Sequence, residues 1–107
     1  MENRQAWGFL IIWEFHIPTE QREAFEHNYG PEGTWASLFR RSPEYVGTEL
    51  ARDDANSERY FTLDYWTGEG AFERFKEANY SDYVLLDIAC EQLTTKETRL
   101  GTFSQVR

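Results

Sequence analysis

Residues 60–78, YFTLDYWTGEGAFERFKEA, change periodicity at a single point. Residues 60–66 are aromatic and β-branched and alternate in character, as a strand does. The run reaches Trp66 and breaks at Thr67-Gly68. It then resumes with Ala71, Phe72 and Phe75 on one side, the spacing of a helix. A strand that feeds directly into an amphipathic helix calls for a sheet on which that helix can lie. This junction constrains the fold more than any other segment.

The remaining elements complete the pattern. Residues 6–17 read as a first strand that Pro18 ends. Side chains alternate across a strand, so Phe9, Ile11, Trp13, Phe15 and Ile17 share one face, and Leu10, Ile12, Glu14 and His16 share the other. Both faces are apolar up to Glu14, so the strand is expected to be central or covered on both sides. Residues 19–29 read as a helix with Thr19 as its cap and Glu20 and Glu23 near its positive end; Gly30-Pro31 breaks it. Residues 34–41 form a second helical piece, with Trp35, Leu38 and Phe39 together, and Ser42-Pro43 stops it. Residues 45–52 read as a second strand. The polar cluster at 53–57 turns it into the third, as a hairpin. Helical segments follow at 69–79 and 83–92, then a Thr-rich edge strand at 94–106.

Strand, helix, strand, strand, helix, strand is the split βαβ, or ferredoxin-like, order: an α+β fold with a four-stranded antiparallel sheet and helices on one face. At 107 residues, the whole chain (1–107) is expected to be one such domain. Neither face of strand one is polar throughout, so the face away from the helices needs a cover. A second copy of the chain is the simplest cover, which predicts a homodimer.

Composition narrows the partners. The formal net charge is −8, from 19 acidic and 11 basic residues, and the basic residues are scattered. This argues against nucleic acid and against an anionic membrane. The opening apolar run is short and interrupted by Glu14, and neither a cleavable signal nor a membrane span is expected from it. A lone cysteine, Cys90, can form no internal disulfide. A cytoplasmic protein is expected. Aromatic residues make up 17 % of the chain, a load that fits either a bulky core or a lined pocket or interface.

No local motif names a reaction. Gly68-x-Gly70 lacks the rest of a dinucleotide fingerprint, and there is no phosphate loop, HExxH, CxxC or nucleophile elbow. Cys90 falls on an amphipathic helix, where a buried small hydrophobe is the simpler reading than a nucleophile. Glu14 and His16 point the same way on strand one. They fit an acid–base pair, two members of a metal site, or two strand-end residues facing solvent or a subunit interface. His27 fits a favourable contact with the negative end of its helix. Asp64, between Thr62 and Trp66, fits either the wall of a pocket with a raised pKa or an ion pair across the sheet with Arg52 or Arg99. Trp66 fits a plug between sheet and helix or a platform for a flat ligand, with Trp35 as the opposite wall. No residue spacing builds a metal cage, so no metal and no cofactor is expected; carboxylates could hold Mg²⁺ or Ca²⁺ only weakly.

Residues 65–75, YWTGEGAFERF, resemble the strand-to-helix signature of the antibiotic biosynthesis monooxygenase family through Trp66, Glu69, Ala71, Phe72 and Phe75. The opening strand ending near Pro18, followed by Phe25, is similar as well, and the likeness runs over residues 8–104. The resemblance implies a dimeric α/β barrel made of two ferredoxin-like subunits, with a pocket between sheet and helices in each. Better-known members oxidise flat aromatic molecules with molecular oxygen and no prosthetic group. Haem-degrading relatives carry an iron-ligating histidine after the same Trp, and none occurs between Lys76 and Leu86 here. The family Trp carries over to Trp66.

Two functions follow as expectations. One is a cofactor-independent monooxygenase of a small flat aromatic or quinone-like substrate. In it Trp35 and Trp66 pack the ring, Asp64 or His16 accepts the proton, and Tyr60 or Tyr65 donates a hydrogen bond. The other is a non-catalytic ligand-binding or structural dimer of the same fold, with these aromatics as core.

Overall fold

A computed structural model describes residues 6–107. Four strands, β1 (Phe9–His16), β2 (Tyr45–Asp53), β3 (Asn56–Trp66) and β4 (Lys96–Ser104), form one antiparallel sheet in the order β2-β3-β1-β4. α1 (Arg22–Tyr29) and α2 (Thr34–Phe39) connect β1 to β2; α3 (Ala71–Ala78) and α4 (Tyr80–Cys90) connect β3 to β4. This is the ferredoxin-like α+β fold, with β1 central and β4 on an edge.

The expected strand-to-helix junction is present. Trp66 ends β3, and α3 begins at Ala71 behind Gly70, whose φ of 86° is open to glycine at little cost. The Gly8 N–H donates to the Trp66 carbonyl at 2.9 Å. A Cβ on Gly8 would lie 2.4 Å from the Thr67 carbonyl oxygen, so the start of the chain can close over the junction only with glycine there.

Two elements differ from their expected form. Thr19 does not cap a helix. Its hydroxyl and N–H both donate to Glu58 of β3, at 2.9 and 3.1 Å, and it opens a single 3-10 turn (Thr19–Gln21) ahead of α1. The cross-sheet carboxylate outcompetes the local cap. β3 starts four residues before position 60, because the tight turn after Asp53 leaves Asn56 already in ladder register with it.

Odd-numbered β1 residues face the helices. Cross-strand register brings Tyr60, Thr62, Asp64 and Trp66 of β3 to the same side. Two aromatic clusters fill this layer. One surrounds Trp66, which is 0 % exposed; its ring centroid lies 5.3–5.6 Å from those of Tyr45, Phe39, Phe72 and Phe75. The other joins Phe15, Ile17, Phe25 and Tyr60, with Phe25 stacked on Tyr29 at 4.3 Å. Cys90 is buried in the first cluster. No helix among the described residues is long and apolar enough to cross a membrane.

Candidate functional site

Between the two aromatic clusters the layer does not close. A cleft of about 600 Å³, its open mouth included, separates the sheet from the helices, and it is narrow: the centre of a water molecule can move through about 80 Å³ of it. The sheet supplies Ile11, Trp13 and Phe15 from β1, Thr48 from β2, Thr62 and Asp64 from β3, and Glu97 from β4. The helices supply Tyr29, Trp35 and Phe39 on one side, and Phe72, Tyr83 and Asp87 on the other. Large aromatics with a few polar groups between them are what a site for a flat ring needs.

Asp64 is the polar centre on the sheet side. The Thr48 hydroxyl donates to its Oδ1 at 2.7 Å and in turn accepts from the Tyr45 hydroxyl at 2.7 Å. This one-way chain holds the carboxylate in place and supplies it with its single hydrogen bond among the described residues. Among the described residues no arginine pairs with it: Arg52 lies 3.8 Å from Glu26 instead, and Arg99 forms no ion pair. Burial therefore dominates and pushes Asp64 up to about 6, with the Thr48 bond opposing it. Burial likewise raises the Tyr29 and Tyr83 phenols, Tyr83 to about 12. Both are neutral donors at any ordinary pH.

The sequence candidates separate on this geometry. Asp64 and Trp35 meet at the cleft. Trp66 belongs to the core beneath it and does not line it. Tyr60 is buried, and its hydroxyl donates to Glu26 of α1, away from the cleft. Tyr65 lies on the opposite sheet face and donates to Glu49 at 2.8 Å. His16 lies on that face too. Its Nε2 is 3.0 Å from Glu14 Oε2, which also accepts from Arg59 Nε at 2.7 Å; Arg59 reaches Asp53 at 3.1 Å. The Arg59 bond holds the Glu14 carboxyl below its usual range. His16 and Asp64 are thus on opposite sides of the sheet and cannot share a proton acceptor's task within one chain.

Sequence reasoning did not single out Thr48, Asp87 and Glu97 as site residues. For Thr48 the signal is hidden by a bulge: β2 pairs Tyr45 with Trp66 and then Gly47 with Tyr65, so one residue is skipped. Strict alternation from Tyr45 would send Thr48 to the far face. In β4 a similar irregularity at Leu100 sets which side Glu97 faces. Among the described residues, no three His, Cys, Asp or Glu side chains are grouped to hold a metal ion.

No family model matches the chain, and no curated protein matches it in sequence. The fold, however, recurs in solved structures along nearly the whole chain. SnoaB, a cofactor-independent oxygenase from Streptomyces nogalater, is 22 % identical with a TM-score of 0.66, over 95 % of this chain and 96 % of that one. A putative antibiotic biosynthesis monooxygenase from Nitrosomonas europaea is 12 % identical with a TM-score of 0.71, over 98 % and 96 %. PA3566 from Pseudomonas aeruginosa is 14 % identical with a TM-score of 0.67, over 98 % and 100 %. At these identities the likeness is one of fold.

Proposed function

We propose that this protein is a cofactor-independent oxygenase of a flat aromatic substrate, acting in the cleft beside Asp64. The observation that carries the reading is a carboxylate with one hydrogen bond, set among aromatic walls. A pKa near 6 leaves Asp64 ionised at neutral pH while keeping it a stronger base than an exposed aspartate. Its role is to take a proton from an acidic C–H or O–H of the ring system. The resulting anion is electron-rich and reduces molecular oxygen directly. Trp13, Trp35, Phe72 and Tyr83 flank the ring and exclude water, and the Tyr45–Thr48 chain fixes the base. The fold shared with SnoaB supports this reading. Oxygen uptake is measured with a panel of anthrones and phenols, aerobically and anaerobically. Oxygen-dependent product from at least one compound is expected. Tight ring binding with no turnover across the panel would favour a ligand-binding protein instead.

We also propose that the working form is a homodimer joined through the open sheet face. Leu10, Ile12, Leu63 and Phe103 lie on that face, and Phe103 is 46 % exposed in a single chain. Helix α4 is apolar on its outer side as well, with Leu85 and Ile88 exposed by 65 % and 56 %. A lone subunit would leave all of these wet. Sedimentation at low micromolar concentration is expected to give twice the chain mass, and a clean monomer would refute the dimer.

A further inference from the structure

We propose that Tyr83 is the second catalytic group of the cleft: its phenol donates a hydrogen bond to the substrate oxygen on which charge collects as Asp64 takes the proton. The proposal rests on the oxygenase reading of Asp64 and completes it, because a base alone leaves the new anion unsupported.

An enolate or phenolate that forms between aromatic walls has lost the water that would stabilise it, and a fixed donor must stand in that water's place. The sequence offers Tyr60 or Tyr65 for the role, and the structure engages both elsewhere. Tyr60 donates to Glu26, and Tyr65 donates to Glu49 on the far sheet face. The Tyr45 hydroxyl is engaged by Thr48. Two phenols line the cleft itself. Tyr29 turns its hydroxyl to the Cys90 thiol and the Trp35 indole. The Tyr83 hydroxyl makes no hydrogen bond among the described residues.

The Tyr83 ring, by contrast, is held from several sides. The Trp35 ring meets it edge-on at 5.1 Å, and Phe72 and Phe75 of α3 lie at 6.1 and 6.4 Å. The Lys76 ammonium stands over it, 4.8 Å from its centroid. A phenol fixed at its ring and open at its hydroxyl is a preorganised donor. It belongs to the helical wall, and Asp64 belongs to the sheet opposite. Asp87, Asp64, Arg99 and Glu97 act on it through space, and none hydrogen-bonds to it. Burial, and then the charge of Asp87, push the phenol up to about 12, so it donates its hydrogen bond without releasing its proton.

The step balances within the cleft. Asp64 accepts the proton and becomes neutral. The electron pair of the broken C–H or O–H bond moves onto the ring system and its oxygen, which accepts the bond from Tyr83. Molecular oxygen then takes electrons from that anion, as in the proposed reaction.

Anthrone and anthracene share a three-ring frame, and only anthrone carries an oxygen. Anthrone oxidation is followed by oxygen uptake, and anthracene binding by quenching of tryptophan fluorescence. Absorbance without oxygen reads the fraction of bound anthrone present as its enolate. In Tyr83→Phe, checked by thermal melt to be folded, kcat is expected to fall about 10²–10³-fold, the usual loss for one oxyanion donor. The enolate-to-ketone ratio of bound anthrone should fall about tenfold, as for one hydrogen bond to a charged group. Anthracene affinity should stay within about twofold, because the aromatic ring is kept. An unchanged kcat or an unchanged enolate ratio overturns the role of Tyr83 and leaves Asp64 and the ring site standing. So does a loss of anthracene affinity as large as the loss of turnover, which makes Tyr83 a wall and no more. If the natural protein binds anthracene but neither ionises nor oxidises anthrone, the oxygenase reading falls and the donor with it.

Discussion

Asp64→Asn is expected to lower oxygen-dependent turnover by about 10²–10⁴-fold, the contribution of a positioned general base, while the protein becomes more stable at neutral pH. The two effects share one cause. The folded-state pKa of Asp64 is raised to about 6 by burial, above its ordinary 3.8. Between those values the folded protein binds more protons at this site than the unfolded chain does. Stability from this group therefore falls as pH rises through that window, and the loss is complete above about pH 6. Asparagine carries no charge to desolvate and still accepts the Thr48 bond. The gain in melting temperature should thus be largest above pH 6 and vanish near pH 3–4. In the natural protein the rate should rise with pH through about 6 as the base ionises. A variant that keeps its turnover, or a rate profile flat across that range, would remove Asp64 from the chemistry. Loss of turnover together with a fall in stability would point to a fold defect instead.

Trp66→Ala is expected to cost about 3–5 kcal/mol, the usual range for removing a large buried aromatic. Its ring is fully buried and in contact with four other aromatic rings, from β2, α2 and α3, so no neighbour can collapse into the space without moving its own element. Urea titration reads the loss. Trp66→Phe should cost only about 1–3 kcal/mol; the indole N–H has no acceptor in the core, so no hydrogen bond goes with it. Because Trp66 does not line the cleft, the Phe variant should bind an aromatic ring as the natural protein does. Trp35→Phe, by contrast, should weaken ring binding, since Trp35 forms part of the wall. A Trp66→Phe variant that loses affinity more than stability would return Trp66 to the site.

Most of the fold was legible in the chain because local patterns and tertiary packing agree. The switch from alternation to helical spacing at Trp66 placed the β3–α3 junction. The apolar run on both faces of β1 marked it as central, and the turn residues after Asp53 marked the β2–β3 hairpin. Each of these signals lies within one element or at one joint. The site was legible only in part. Asp64 and Trp35 stood out by their residue type and place, whereas Thr48 was concealed by the β2 bulge. Asp87 and Glu97, in turn, are ordinary surface acids until α4 and β4 come together at the mouth.

Alternation along β1 sorted its residues into two sets, and alternation along β3 did the same. Neither strand states which of its sets matches which set of the other. That is decided by register: Ile11 pairs with Asp64 and His16 with Arg59, so Asp64 joins the inward set and His16 the outward one. A slip of one residue would have reversed the match and put the histidine and the aspartate on the same face. The chain by itself determined the elements, their order and the residues capable of chemistry, because those follow from side-chain type and period. Which of those residues meet was settled only by the tertiary structure, because cross-strand register and bulges are fixed by burying the Trp66 and Phe25 clusters together, a property of the whole layer and of no single segment.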